Sequence, residues 1–182
     1  MAKCYGPSEI HWLANRRIFF DANILIYIFW PTGSHLWEKQ YASIFGRLLK
    51  QNNEMAVDFI VISEVVNRAV RTEYEIHLQQ KNVSKENLPF KKYRDSQDGQ
   101  DALGDIYQIL KKNIINKFNV ISKAFTKFDI ERFLNRNSLD FSDKGIAAIC
   151  QENGLVLLTN DKDFAGADLD ILSSNPGLLR AS

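Results

Sequence analysis

The chain has 182 residues, 45% of them hydrophobic, which is enough to fill the core of one domain. Its 23 basic and 22 acidic residues give a net charge of +1, which excludes a protein that coats nucleic acid through bulk positive charge. No apolar run reaches the roughly 20 residues of a membrane helix, and two isolated cysteines exclude a disulfide framework. We therefore expect a single domain over residues 1–182, located in the cytoplasm and away from membranes.

The first elements in the chain alternate between strand and helix. The apolar run Ile18-Phe19-Phe20 predicts a strand that ends at Asp21, and apolar residues then recur at helical spacing. A second amphipathic helix is predicted over Trp37 to Leu49. Met55 to Val57 predicts another strand, and Asp58 is placed to cap the helix that follows it.

The middle of the chain is predicted to be a helical elaboration at about 71–117. The helix that carries Glu64 in an early turn is expected to extend to about Gln80. The polar stretch Lys81 to Asp98 then predicts a loop with some helix, and a long helix is expected from about Gln100 to Lys117.

The last third continues the alternation. Three elements follow in the order strand, helix, strand: Phe118 to Ile121, Phe128 to Leu134 and Leu155 to Leu158. Before the last of them, Ser142 is the predicted N-cap of a helix over Asp143 to Glu152, and Gly154 is the predicted left-handed residue that ends it. Leu169 to Leu172 is predicted as an edge strand. The alternation predicts an α/β fold, a three-layer sandwich whose central, mainly parallel sheet is flanked by helices.

Four acidic residues occupy positions that such a fold would bring together. Asp21 and Asp161 each follow an apolar strand, and parallel strands end at one edge of the sheet. Asp143 at a helix start and Glu64 early in another helix would complete the cluster. Crowded carboxylates repel one another, so a charged cluster persists mainly where a cation neutralises it. Taken singly, an aspartate at a strand end or a helix start is more often a cap than a catalytic residue, and Glu64 alone could simply pair with Arg68 one turn later.

The order of these acids, with the residues around them, resembles the PIN-domain family. The segments that carry the resemblance are Asp21-Ala22-Asn23, Ser63-Glu64, Leu139-Asp140-Phe141-Ser142-Asp143 and Leu158-Thr159-Asn160-Asp161-Lys162-Asp163-Phe164. The resemblance spans roughly Arg17 to Leu172 and is weak between about Arg71 and Lys117, where this chain looks longer than compact toxins of the family.

The resemblance implies a metal-dependent endoribonuclease that hydrolyses RNA phosphodiester bonds. The implied catalytic residues, which would also bind Mg²⁺ or Mn²⁺, are Asp21, Glu64, Asp143 and Asp161. Polar residues beside them would orient carboxylates or water, namely Asn23 and Thr159, with Asp163 as a further ligand or a cap. The implied partners are an RNA substrate, an antitoxin protein if the chain is a VapC-like toxin, and a second copy that would pack on the helix Trp37 to Leu49.

A basic stretch in the last third is the candidate surface for RNA. Its charged residues include Lys123, Lys127 and Arg132, and phenylalanines are interleaved among them. Basic side chains there would follow phosphates while an exposed ring stacks on a base. Phenylalanines at such spacing are also typical of a buried core, so this stretch has a purely structural interpretation as well.

Three other kinds of protein compete with the nuclease. A catalytically silent PIN-like module that binds nucleic acid would keep the fold without the chemistry, although none of the four acids is missing. A haloacid-dehalogenase-like phosphatase also places an aspartate after its first strand, but it requires a second aspartate two residues later, where this chain has Asn23. A phospho-acceptor receiver domain leaves the late Thr159-Asn160-Asp161 segment unexplained.

Overall fold

A computed structural model describes residues 3–30, 33–136 and 138–180. Within them, six strands form one sheet in the order β1-β6-β5-β2-β3-β4, and every neighbouring pair is parallel. The strands are β1 Cys4–Tyr5, β2 Ile18–Phe20, β3 Met55–Val57, β4 Asn119–Val120, β5 Val156–Leu158 and β6 Ile171–Leu172. The predicted α/β sandwich with a parallel sheet is confirmed.

Helices flank this sheet and connect its strands. The α-helices are α1 Ala22–Phe29, α2 His35–Lys50, α3 Phe59–Lys81, α4 Phe90–Arg94, α5 Gln97–Leu110, α6 Lys127–Phe133, α7 Phe141–Asn153 and α8 Pro176–Leu179. Short 3₁₀ helices cover Pro7–Leu13 and Lys162–Phe164, and a π-helical turn covers Lys111–Ile115. None of the helices in the described residues is both long and apolar enough to cross a membrane.

The strand order places a crevice in the middle of the sheet. From β2 the chain adds β3 and then β4 on one side, whereas β5 and β6 are added on the other side. The direction of winding therefore reverses between β2 and β5. In open parallel sheets, ligands bind at such a reversal, outside the carboxyl ends of the strands.

The three central strands form the core of the sheet. All residues of β2, β3 and β5 are buried, as expected for strands covered on both faces. Helix α2 adds Ile44 and Leu48 to this core, whereas Leu49 is exposed, and the packing of a second copy on this helix stays a prediction. Strand and helix were predicted from these same apolar runs, and the predicted bounds of β2 and β3 match the observed ones.

Two details of the sequence-based prediction are wrong. The predicted edge strand at Leu169 to Leu172 is β6, which lies inside the sheet because β1 pairs with its outer side. The predicted N-cap Ser142 lies inside helix α7, and the N-cap is Asp140, whose carboxylate accepts a 2.8 Å hydrogen bond from the amide of Asp143. The hydroxyl of Ser142 also donates to Asp140, so the aspartate accepts both bonds.

The middle of the chain packs as a helical extension with its own small apolar cluster. Tyr74 and Leu78 on α3 are buried against Tyr93 of α4, with Phe90 at the edge of the cluster. The stretch predicted as mostly loop thus contains α4, and the predicted long helix begins at Gln97 and gives way to the π-helical turn after Leu110. The assignment of residues 1–182 to one domain stays a prediction.

Candidate active site

Asp21 is the most enclosed of the four predicted acids. It follows β2 directly and caps helix α1, where its Oδ1 accepts a 2.6 Å hydrogen bond from the amide of Ala22. Its other oxygen, Oδ2, accepts from the side-chain amide of Asn23 and from the hydroxyl of Thr159, each at 2.6 Å. The side chain is buried, so these donors replace the water that a carboxylate would otherwise bind.

Burial nevertheless leaves this carboxylate short of compensating positive charge. Burial is the largest effect and raises the pKa of Asp21 to about 6, in spite of the donated hydrogen bond from Thr159. The negative charges of Glu64 and Asp161 raise it further. Glu64 and Asp161 therefore lie close enough to Asp21 to repel it.

Thr159 joins the ends of two neighbouring strands. It follows β5, which pairs with β2, and its hydroxyl donates to Asp21 while accepting a 2.9 Å hydrogen bond from the amide of Asp161. Asp161 is half-buried and caps the 3₁₀ helix that follows, accepting at 2.9 Å from the amide of Asp163. Thr159 and Asn23 thus contact a predicted catalytic acid, whereas the side chain of Asp163 is exposed.

Tyr41 is a residue that sequence reasoning missed. Its hydroxyl, on the buried face of α2, donates a 2.7 Å hydrogen bond to Oδ1 of Asn160 and accepts from the amide of Ser174 at 3.2 Å. Asn160 in turn donates its backbone amide to Asn23, and its carbonyl accepts from the side chain of Asn175 at 2.6 Å. This polar network fixes the turn that carries Asp161.

Asp143 faces the same edge from helix α7. Burial and the neighbouring carboxylate of Asp140 raise the pKa of Asp143 to about 7. Three further carboxylates act in the same direction: Asp21, Asp161 and Glu64. All four predicted acids therefore share one electrostatic environment at the carboxyl edge of the sheet.

Glu64 is more exposed than Asp21 and has a partner of its own. Its carboxylate forms an ion pair with Arg68, one turn later on α3, at 3.2 Å. Its side chain is 38% exposed. Exposed pairs of this kind contribute little to stability, so Glu64 can exchange this partner at small cost.

The four acids repel one another, but they do not yet form a closed set of ligands. Among the residues that the structure describes, no three histidine, cysteine, aspartate or glutamate side chains lie close enough together to hold a metal ion. The mutual pKa shifts of Asp21 and Asp143 indicate proximity at a longer range than direct coordination.

The predicted RNA-binding residues are engaged with acidic neighbours. Lys123 is half-buried and forms an ion pair with Glu152, with Asp129 at 4.0 Å. Lys127 projects into solvent and lies 3.7 Å from Glu131. Arg132 lies 3.7 Å from Asp129. The positive charge of this stretch is therefore largely balanced, and its role in binding RNA stays a prediction.

Fold and site together define a parallel α/β domain with carboxylates gathered where its winding reverses. A family profile described as "PIN domain" matches residues 18–169, so the chain belongs to the PIN domain family. The predicted resemblance is thereby confirmed, and the phosphatase alternative is set aside.

Solved structures with the same fold are only distantly related in sequence. PAE2754 from Pyrobaculum aerophilum superposes with a TM-score of 0.51 at 16% identity, covering 92% of this chain and 90% of that one. VapBC2 from Rickettsia felis, bound to a DNA fragment from its promoter, gives a TM-score of 0.49 at 16% identity, covering 86% of this chain and 98% of that one. No curated protein matches the chain.

Proposed function

We propose that this protein is a metal-dependent ribonuclease that uses Mg²⁺ or Mn²⁺ to hydrolyse phosphodiester bonds in RNA. The observation that carries the proposal is the mutual electrostatic influence of four carboxylates beside the β2/β5 crevice. These are Asp21, Glu64, Asp143 and Asp161. Two of them have a pKa near neutrality, which is expected for an acidic site that a cation completes.

The available donor atoms suit a hard divalent cation. Carboxylate oxygens are the preferred ligands of Mg²⁺, which keeps several waters and needs only one or two carboxylates per ion. When bound, such an ion would activate water and stabilise the charge that develops on the phosphate oxygens. Glu64 and Asp143 would have to move for the acids to form a closed set of ligands, and both side chains are partly accessible to solvent.

The protein's own residues would divide the work between holding and orienting. Asp21 and Asp161, at the ends of paired strands, would fix the position of the ion. Asn23 and Thr159 would hold the carboxylate of Asp21 at its required angle, because both donate to the same oxygen. Glu64 would exchange Arg68 for the ion, which leaves that guanidinium free to bind a phosphate of the substrate.

The biological setting belongs to the proposal as well. VapC-like toxins of the family imply an antitoxin protein as partner, and family analogy implies products with a 5′-phosphate and a 3′-hydroxyl. Co-expression with the product of a neighbouring gene, followed by assays for a complex that loses activity, would test the toxin assignment. A second copy of the chain is a further implied partner, testable by sedimentation.

The test of catalysis is cleavage of labelled single-stranded RNA by purified protein with EDTA, Mg²⁺ or Mn²⁺. The Asp21→Asn variant, prepared in parallel, controls for a contaminating nuclease. Cleavage that needs the metal and disappears in the variant supports the proposal. Equal cleavage by both proteins, or none with any metal and with structured RNA or DNA, refutes it.

One observation favours a second candidate, a catalytically silent PIN-like module that binds nucleic acid. The described acids do not surround a single point closely enough for direct coordination. A silent module would bind RNA in the same experiment without cutting it, and its affinity would not depend on the metal. Metal-dependent cutting excludes it.

A further inference from the structure

An apolar groove opens beside the carboxylates, between the start of α3, the end of β4, α6 and α7. Its volume is about 440 Å³, and apolar side chains form most of its wall. The lining residues include Phe59, Ile60, Phe125, Phe133, Phe141 and Gly145. The volume lies within the range of sites for small organic molecules.

Aromatic rings form one side of this groove and extend into solvent. The ring of Phe133 makes edge-to-face contacts with Phe125 at 5.7 Å and with Phe141 at 5.9 Å between centroids. At the mouth, Phe59 is 79% exposed and Phe141 is 51% exposed. Large apolar side chains exposed together at a concave surface usually mark a place where something binds.

The groove and the acidic site both use the N-terminal parts of α3 and α7. Ile60 in the groove precedes Glu64 by one turn of α3, a rise of about 6 Å along the helix axis. Ser142, which also lines the groove, is the residue before Asp143. An RNA strand with a phosphate at the carboxylates therefore has an adjoining nucleotide within reach of the groove.

We propose that this groove is a nucleobase subsite, in which a base next to the cleaved phosphate stacks on the rings of Phe59 and Phe141. The inference rests on the proposed function, since it assigns a position to the RNA strand of that reaction. It gives the protein a means of selecting substrate by its bases, which the carboxylates alone do not provide.

The groove has room for a flat ring. Its volume of about 440 Å³ can accept one planar ring system with part of its sugar. Gly145 lets Ile60 and Phe125 pack closely against α7, because a Cβ there would lie 3.0 Å from Cδ1 of Ile60 and 3.6 Å from the ring of Phe125. The hydroxyls of Ser122 and Ser142 line the same groove and would accept or donate hydrogen bonds to the edge of a base.

The test compares RNA with and without bases. The two probes are a labelled adenosine RNA octamer and the ribose-phosphate octamer of the same length without bases. Both are titrated with the Asp21→Asn protein in Mg²⁺, so that cleavage does not interfere. The ratio to compare is the dissociation constant of the octamer without bases divided by that of the adenosine octamer. For Phe59→Ala combined with Phe141→Ala, this ratio should fall about tenfold, since stacking on one aromatic side chain has roughly that effect. The salt dependence of binding should stay the same, because no charge is removed.

Phe128→Ala is the matched control, since Phe128 is 71% exposed but does not line the groove. Its ratio should equal that of the parent protein. Phe59→Leu with Phe141→Leu keeps apolar volume and should lose most of the same ratio, which separates ring stacking from misfolding.

Each remaining outcome overturns a particular proposal. An unchanged ratio in the double alanine variant would refute the base subsite and favour an apolar side chain of a partner protein as occupant. An equal loss in Phe128→Ala would show that the effect is not specific to the groove. If the wild-type protein cleaves RNA but the double alanine variant leaves the ratio of dissociation constants unchanged, only the subsite is refuted. If the variant lowers the ratio but the wild-type protein does not cleave RNA, only the catalytic proposal is refuted.

Discussion

The four acids of the proposed site fall into two pairs that the fold holds in different ways. The strand-end pair, Asp21 and Asp161, is fixed by backbone and side-chain hydrogen bonds at the ends of β2 and β5. The helix pair, Glu64 and Asp143, projects from the second turn of α3 and the first turn of α7. Among the bonds that the structure describes for these two carboxylates, the partner is Arg68, which pairs with Glu64.

The difference indicates a site that is half preorganised. Hydrogen bonds to Asp21 and Asp161 would define where an ion sits before it arrives, whereas the helix pair would adjust to it. Such an arrangement reduces the repulsion that the protein must bear without an ion, because the helix pair can remain apart or take up a proton. Its consequence is that changes to the two pairs should have unequal effects on activity.

The largest effect is expected from changing the strand-end pair. Asp21→Asn and Asp161→Asn should each reduce the rate of RNA cleavage by roughly a hundredfold or more, since even residues that only orient a ligand contribute 10- to 100-fold. Thermal melting should show little loss of stability for Asp21→Asn, because the amide relieves burial of a charge. Rates come from single-turnover assays on labelled RNA.

Asp163→Asn is the control for this prediction. Asp163 is exposed, and its backbone amide rather than its carboxylate contacts Asp161. Its loss should reduce the rate only slightly. A sharply unfolded Asp21→Asn protein, or a loss of rate in Asp163→Asn as large as in Asp161→Asn, would contradict the role that we assign to the strand-end pair.

The next effect is a pH dependence of stability that the metal reverses. In the folded protein the pKa of Asp21 is raised from 3.8 to about 6 and that of Asp143 from 3.8 to about 7. Between pH 4 and 7 the folded state therefore binds more protons than the unfolded state, so the free energy of unfolding falls as pH rises. For the fully buried Asp21 this amounts to about 2–3 kcal/mol.

Urea denaturation at pH 5 and pH 7.5 would measure this dependence. In EDTA the protein should be more stable at pH 5, whereas saturating Mg²⁺ should stabilise it mainly at pH 7.5, where the carboxylates are charged. The Asp21→Asn and Asp143→Asn variants should lose most of the dependence, which separates these groups from the histidines. Greater stability at pH 7.5 in EDTA would be the opposite of what we expect.

A smaller effect is expected from the residue that supports the strand-end pair through its neighbour. Tyr41→Phe removes the hydrogen bond to Asn160 without creating a large cavity, and it should lower the rate or the metal affinity about tenfold. Stability should fall by about 1–2 kcal/mol, since Oδ1 of Asn160 then loses its donor. Tyr27→Phe is the matched control, because the ring of Tyr27 stacks on Tyr41 with 5.8 Å between centroids. Its hydroxyl accepts a hydrogen bond from the side chain of Asn160 that is long, at 3.5 Å.

The decisive readout for Tyr41→Phe is the Mg²⁺ concentration at half-maximal rate. A positioning role predicts that this concentration rises in Tyr41→Phe and stays near the wild-type value in Tyr27→Phe. Equal loss of stability in both variants with unchanged metal dependence would reduce Tyr41 to a core residue.

The signals that point to the strand-end pair are local. Asp21 directly follows a short apolar run and Asp161 follows another within three residues, and a short, continuous apolar run is typical of a buried strand in a parallel sheet. The catalytic role of both acids stays a prediction. The same reasoning identifies β2 and β3 within their observed bounds. By contrast, β1 has only two residues and pairs with β6 at the other end of the chain, so no local pattern predicts it.

The supporting residues are the part that local reasoning does not reach. Tyr41 occupies an ordinary buried position of an amphipathic helix, and its partner Asn160 lies 119 residues away in the chain. The N-cap of α7 had two suitable candidates close together, Asp140 and Ser142, and only the folded backbone decides that the helix begins at Phe141. The groove was equally hidden, since its phenylalanines read as core.

The smallest effect is expected from the basic stretch. Lys123→Ala combined with Lys127→Ala should weaken RNA binding by a few-fold. The slope of log Kd against the logarithm of the salt concentration should fall by less than the ~1.4 that two full phosphate contacts to single-stranded RNA would give. The reason is that Lys123 is held by Glu152, so its charge is not fully available to RNA, whereas Lys127 is exposed and can exchange Glu131 for a phosphate at small cost. Fluorescence anisotropy titrations at salt concentrations from about 50 to about 200 mM would measure this slope. Glu152→Gln is the informative companion, because freeing Lys123 should strengthen binding if this surface meets RNA, and unchanged binding in both variants would assign the stretch to structure alone.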